Sequence, residues 1–303
     1  MRICLLTPDP GHPLLAATAG LLRPRHLVES LDPNAGDGPP ADRLGPGPLA
    51  DVYLLKARTP RALAFARHLE ERGAPVINSA AATRFCQDRT GMAELARSAG
   101  LPFAATRTAA RLADLAEPGF PLVVKSRYSR RHDLVARVDD AAGLRALAER
   151  WPDEPVVTQP YLANSGWDQK LWVIAGQVFC ARRRSELAEP ALVEPVLVEP
   201  APAGAAAGAA HGSPFGPGDL PAERVDLARR VGEVFGLDVY GVDLLDGPAE
   251  PVIVDVNAFP GVRGQAGAPE ALAALALRVA GRGGAGGPRV PGPRGAGWPT
   301  SSR

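Results

Sequence analysis

The sequence predicts an α/β segment on a parallel sheet, followed by an α+β segment built from antiparallel strand pairs. Three observations carry this. Residues 2–78 alternate apolar strand-like runs with stretches of helical periodicity, the rhythm of parallel strands joined by crossovers. From residue 88 the order changes to helix, strand, strand, helix, strand, strand, and Gly176 splits KLWVIAGQVFCARRR into two strand-like halves of a hairpin. Late in the chain, two apolar strand-like runs are interrupted by Asp243, Asp255 and Asn257.

In order, RICLLT (2–7) reads as the first strand. HPLLAATAGLLRPRHLVESLDP reads as a helix and a short strand, and LADVYLL (49–55) as another strand. A helix over 60–73 stops at Gly73, and PVIN (75–78) is a strand ending in small residues. This first lobe covers 1–85. Asp88–Ser98 is helical, with Gly100 and Pro102 ending it. FPLVVKSRYS and RHDLVARV form a strand pair, a helix spans 139–150, and PVVTQPYL precedes the hairpin. Residues 200–221 hold too few large apolar groups to pack and read as a loose loop. Glu223–Gly236 is a helix, VYGVDLLDG and EPVIVDVNAFPG are strands, and PEALAALALRVAG closes with a helix. The composition of 281–303 predicts a disordered tail. The second unit is thus 86–280, divided into a small lobe at about 103–165 and a larger one at about 166–280.

The 303 residues carry 34 Lys and Arg against 33 Asp and Glu, a formal charge of +1. Nothing global draws the chain to nucleic acid or to an acidic membrane, so anion binding must be local. Cys4, Cys86 and Cys180 are odd in number and far apart, which fits a reducing, cytoplasmic setting rather than a disulfide or zinc framework. The apolar start is too short for a signal peptide, and no segment offers the roughly 20 uninterrupted apolar residues of a membrane span.

Asp255 and Asn257 lie two apart, so they share one strand face. Carboxylates inside a sheet are costly unless something shares them, and hard oxygen donors of this kind favour magnesium completed by phosphate oxygens and water. Solvated strand-end acids are the alternative. Lys125, ending the run PLVVK, is either a point charge for phosphates or a lysine snorkelling at a sheet edge. SRYSRRHD after it contains no glycine; Arg127, Arg130, Arg131 and His132 there suit either an anionic substrate or an ordinary basic turn. Gln159, Pro160, Tyr161 and Leu162 could wall an adenine or belong to the core. Lys170 and Arg183 could face one cleft or form a salt-bridged sheet surface. Walker A, HExxH and GxSxG patterns are absent.

Residues 75–264 resemble the ATP-grasp superfamily through VINSAAATRFCQDRTGMAEL, GFPLVVKS, VVTQPYLANSGWDQKLWVIAGQVFCARRRS and YGVDLLDGPAEPVIVDVNAFPG, in that order. The resemblance implies an N-terminal α/β lobe, a small α+β ATP lobe and a C-terminal α/β lobe, with ATP held between the last two. It further implies ATP and one or two Mg2+ as cofactors, with Mn2+ as a substitute. Lys125 and Arg89 would contact phosphates, and Gln159, Tyr161 and Leu162 the adenine side. Asp243, Asp255 and Asn257 would hold the metal, with Asp255 replacing a Glu common in the ligases. Arg183 and Lys170 would be catalytic, and Lys56, Arg127, Arg131 and His132 would bind substrate.

Different pieces of the chain resemble two branches of that superfamily. VINS, the DRTGM helix, AGLPFAAT and the spacing of Asp243 and Asp255 resemble the ribosomal-protein glutamate ligase group. VYLLK, RHDL, QKLWVIAGQ and DVNAFPG resemble inositol polyphosphate kinases. The first implies a carboxylate–amine ligase acting through an acyl phosphate on a small or peptide carboxylate; the second implies a kinase of a polyanionic alcohol. A weakly active ATP-binding scaffold is the third reading. The expected partner is a small anionic molecule or peptide, not nucleic acid or membrane, and the oligomeric state stays open.

Overall fold

The structure is a computed structural model; it describes residues 1–36, 38, 44, 47–115, 119–130, 132–162, 167–185, 187, 214–215, 220–245 and 251–283. Its first sheet has the order β2-β1-β3-β4, all parallel, from β1 (Arg2–Leu6), β2 (Leu27–Leu31), β3 (Val52–Leu55) and β4 (Val76–Ile77). Both faces of β1 and β3 are apolar, so both need covering. On one side Cys4, Leu6, Tyr53 and Leu55 pack with Phe65 and Leu69 of α2 (Pro60–Glu71). On the other, Ile3, Leu5, Val52 and Leu54 join Leu14, Leu15 and Leu22 of α1 (Pro13–Leu22) and Leu272 and Leu275 of the C-terminal helix. Thr59 caps α2 by accepting from Ala62 N–H, and Gly73 leaves the helix at φ +86°.

A short helix α3 (Ala80–Phe85), capped by Ser79, follows β4, where the sequence shows only small residues ending a strand. Next comes α4 (Arg89–Ser98), with Asp88 as N-cap accepting from Thr90 N–H. A second sheet, ordered β5-β8-β6-β7, is antiparallel throughout: β5 (Arg107–Ala109), β6 (Leu122–Ser126), β7 (Val135–Val138) and β8 (Val156–Pro160). Leu122, Val124, Val138 and Val156 pack with half-buried Leu144 and Leu147 of α5 (Ala141–Arg150). Strand β5 is not foreseen, because its three residues are mostly exposed and lack an apolar pattern.

The third sheet has the order β11-β10-β9-β12-β13, again antiparallel: β9 (Trp167–Ile174), β10 (Gln177–Arg184), β11 (Pro214–Phe215), β12 (Val239–Leu245) and β13 (Val252–Ala258). The β9–β10 turn uses Ala175 and Gly176 at φ +53° and +83°, the pair of positive φ values a tight hairpin needs. One face, with Leu171, Val173, Val242, Leu244 and Val256, packs on Met92 of α4 and on Val231 and Phe235 of α6 (Ala222–Phe235). The other meets α7 (Ala268–Gly283) through Trp172, Ile174 and Phe179, so α7 separates the first and third sheets within one core.

Two boundaries differ from expectation. Most of the loop expected at 200–221 lies outside the described residues, but Pro214–Phe215 pairs with Cys180 and Ala181 as an edge strand. The first residues of the tail expected at 281–303 belong to α7, which runs to Gly283; residues 284–303 lie outside the described set. Among the described residues no helix is long and apolar enough to cross a membrane.

Candidate functional site

Pleat and register assemble the site where the second and third sheets meet. On β6, Leu122 and Val124 turn toward α5, so Val123 and Lys125 face the opposite way. Val123 is paired with Gln159 and Lys125 with Val157, which brings Gln159 to the face of Lys125. Since β6 is an inner strand, Lys125 is not a sheet-edge lysine. It is 6% exposed, and its Nζ donates to the Val254 carbonyl of β13 at 2.9 Å. Burial pulls its pKa down, with Asp255 the main opposing influence.

Asp243 on β12 lies directly opposite Asp255 on β13 and opposite Lys170 on β9. Asn257 is opposite Gly241, where a Cβ would meet Pro260 at 3.2 Å. The β12–β13 ladder then slips: Leu244 pairs with Ile253, leaving Val254 unopposed. That bulge frees the carbonyl that holds Lys125, and it ties one sheet to the other. Two carboxylates roughly 5 Å apart repel by about 3 kcal/mol at an effective dielectric of 20, so the pair needs cations. Lys170 Nζ lies 3.2 Å from Asp243, and Arg89 NH2 donates to Asp255 at 3.3 Å.

Arg89 begins α4, where its backbone N–H donates to Arg127 O at 2.9 Å. Its guanidinium is 6% exposed and also donates to Asp133 and to the Ser126 carbonyl, both at 2.8 Å. Burial opposes its charge, but Asp255 and Asp133 outweigh this and raise its pKa. Burial likewise raises the Asp243 pKa, against the lowering influence of Lys170. Asp243 Oδ1 is buried without a hydrogen-bond partner. Asp243 Oδ1, which forms no hydrogen bond although Lys170 Nζ lies 3.2 Å from it, a facing carboxylate and a neighbouring amide make a hard oxygen set that fits magnesium. Among the described residues no group of three His, Cys, Asp or Glu could hold a metal, so a cation here would need phosphate or water oxygens as well.

The adenine-side residues divide. Gln159 is 4% exposed and donates to Thr106 Oγ1 at 3.1 Å. Tyr161 lies under Arg137, whose guanidinium is 4.0 Å from the ring centroid, and Leu162 is exposed. Arg137, not foreseen, lies opposite Val123 and therefore in the same row as Gln159.

The glycine-free turn after β6 is docked by ion pairs. Arg127 makes a bidentate pair with Asp88, both contacts at 2.9 Å, and Arg130 one with Glu154, both at 2.7 Å. Ser129 N–H donates to Gln87 O, and His132, exposed, takes φ +58°. Arg131 lies outside the described residues. Arg183 is exposed on β10, opposite Asp168 and near Lys170 in the ladder.

Lys56 lies elsewhere, just past β3. Its Nζ donates to the Phe259 carbonyl at 3.1 Å, just beyond β13. Two residues around it, His12 and Arg263, escape sequence reasoning, since neither motif nor periodicity signals them. So does Asn78, whose buried amide donates to Val239 O and accepts from Asp238 and Val239 N–H, fastening β12 to the first sheet.

No protein-family model and no curated protein matches the chain. Solved structures do. A RimK domain ATP-grasp protein from Sphaerobacter thermophilus is 23% identical, with 91% of this chain and 100% of that one covered and a TM-score of 0.67. D-alanine–D-alanine ligase from Bacillus anthracis, complexed with ATP, is 16% identical over 93% and 99%, with a TM-score of 0.68. The ATP-grasp ligase PsnB, complexed with a minimal precursor, is 18% identical over 91% and 98%, with a TM-score of 0.62. Two of these neighbours are named as ATP-grasp proteins and two as ligases, and the likeness spans essentially their whole length. Three sheets in this order, with the two antiparallel ones meeting at Lys125, give the chain the ATP-grasp fold.

Proposed function

We propose that this chain is a Mg-ATP-dependent carboxylate–amine ligase. The observation that carries the reading is the convergence, where the two sheets meet, of buried Lys125 and Arg89 with the facing carboxylates Asp243 and Asp255. Structural neighbours complexed with ATP, and with Mg and ADP, support the nucleotide and metal assignment.

Lys125 and Arg89 balance phosphate charge from fixed positions, so little reorganisation accompanies reaction. Gln159, Tyr161 and Leu162 border the adenine. Asp243, Asp255 and Asn257 are the residues that would hold magnesium, which when bound neutralises phosphate charge. Arg183 and Lys170 neutralise the oxygens of the transferring phosphoryl group. A substrate carboxylate oxygen attacks the γ-phosphorus, and the bond to the ADP oxygen breaks, giving an acyl phosphate and ADP. An amine nitrogen then attacks the acyl carbon; the carbon–oxygen bond breaks, phosphate leaves with the electron pair, and the proton lost by the nitrogen passes to the departing phosphate. Lys56, Arg127, Arg131 and His132 are assigned to substrate, although Arg127 would have to share its guanidinium with Asp88.

The kinase reading rests on the resemblance of VYLLK, RHDL, QKLWVIAGQ and DVNAFPG and on basic side chains for a substrate that already carries phosphates; of those side chains, Arg127 and Arg130 are held by Asp88 and Glu154. The test is incubation with Mg-ATP and separate pools of amino acids, peptides and inositol phosphates, following ADP, free phosphate and product mass. An amide product with equal ADP and phosphate supports the ligase. A phosphorylated product without free phosphate overturns it in favour of the kinase, and ATP binding without turnover in any pool favours the scaffold.

A further inference from the structure

The first sheet has a topological switch point between β1 and β3: from β1 the chain moves to β2 on one side, whereas β3 lies on the other. Connections leaving the carboxyl ends of such strands diverge and leave a crevice, where open α/β sheets bind ligands. At this switch point lie His12, after β1, and Lys56, after β3. Lys56 is fixed at its backbone by a hydrogen bond from its N–H to Leu6 O at 3.0 Å. A third wall comes from the segment beyond β13, where Phe259 turns at φ +44° and Val262 is buried in the core. A Cβ on Gly261 would lie 3.2 Å from His12 Nε2 and 3.8 Å from Arg263 Nε, so both side chains crowd the same backbone point.

His12 is the N-cap of the ten-residue helix α1 but makes no side-chain cap. It is 7% exposed, and its Nδ1 is buried without a partner. An orphaned buried nitrogen costs stability on the order of 1–3 kcal/mol unless a ligand or water completes it. The α1 amides of the first turn add positive potential at the same place. Arg263 is exposed and has no ion pair among the described residues, and Asp9 is the one carboxylate acting on both His12 and Lys56.

We infer that His12, Lys56 and Arg263 form an anion subsite for a carboxylate or phosphate group carried by the substrate. It lies beyond the metal strand: Phe259 is two residues past Asn257, roughly 7 Å along the chain. The substrate is therefore one whose anionic group is held apart from the reacting one. The assignment to substrate rests on the ligase reading of the neighbouring site. Burial, then Lys56 and Arg263, lower the His12 pKa to about 4, in keeping with several positive groups and too little negative charge.

The test is calorimetric titration of the full chain, without nucleotide, using succinate and inorganic phosphate as probes. Wild type should bind at least one saturably, and Arg263→Ala and Lys56→Met should each weaken binding tenfold or more. Arg263 is exposed, so its variant folds even if the Lys56 variant does not. Asp255→Asn should keep probe binding and lose Mg-dependent ATP binding; if it keeps both, the ligase reading fails while the subsite stands. Binding of succinate alone identifies a carboxylate ligand, and of phosphate alone a phosphate ester. No saturable binding, or binding indifferent to Arg263→Ala, overturns the inference.

Discussion

Two basic regions flank the acidic strand pair, and they use their charge in opposite ways. In the turn after β6, Arg127 and Arg130 are each clamped by a carboxylate in fork geometry, and the nearby Arg89 is shared by Asp133 and Asp255. Near the first sheet, Lys56 rests on a carbonyl, His12 keeps an orphaned nitrogen, and Arg263 has no ion pair among the described residues. Clustered arginines in a sequence are thus a poor guide to available charge. The turn uses its cations to hold itself down without glycine, while the scattered cations Lys56 and Arg263 meet beside His12 with no ion pair among the described residues.

The sharpest way to break this contrast lies between the two regions. Asp255→Asn removes one member of the acid pair but keeps a polar partner for Arg89, and turnover should fall roughly 10³-fold with circular dichroism unchanged. Retained turnover would make Asp255 only a structural counter-ion.

His12 offers the next largest effect. Its folded pKa of about 4 lies below the unfolded value of 6.5, so the unfolded chain binds more protons between those values. Stability should therefore fall as pH drops through that window, by up to about 3 kcal/mol, and His12→Gln should flatten the dependence in denaturant melts at several pH values.

Lys56 should show the opposite face of the same chemistry. Burial, then Arg263, with Arg58 adding and Asp9 opposing, lower its pKa to about 8. Its ammonium, with neutral His12 and charged Arg263 around it, should hold succinate below that pH and release it above, with affinity declining as pH rises from 7 to 9. Flat affinity would remove Lys56 from the subsite.

The smaller effects compare the two regions directly. Arg127→Ala should cost about 1 kcal/mol, and a double-mutant cycle with Asp88→Ala should return most of it as coupling. Arg263→Ala should shift stability by less than about 0.5 kcal/mol while weakening the anion probes. Equal stability costs would erase the distinction between a braced and an open cluster.

Much of the fold was legible because its signals are local. Thr59 to Gly73 carries cap, period and stop within one segment, and Gly176 marks the hairpin. Asp255 and Asn257 could be placed on one strand face from spacing alone. The bulge at Val254 could not, because it appears only when β13 meets β12. Neither could the capture of Lys125 by that bulge, since the partners are 129 residues apart. Short elements such as α3 and β5 escaped because few residues give little periodicity.

The sequence by itself determined the order of the longer strands and helices and the acid-bearing strand pair, because those follow from periods of two and 3.6 and from spacing along one strand. Only the tertiary structure decided which cations are committed and which are open. Asp88 with Arg127, Glu154 with Arg130, and His12 with Lys56 and Arg263 are brought together by sheet order and helix docking, and a charge's partner depends on distance in space rather than along the chain.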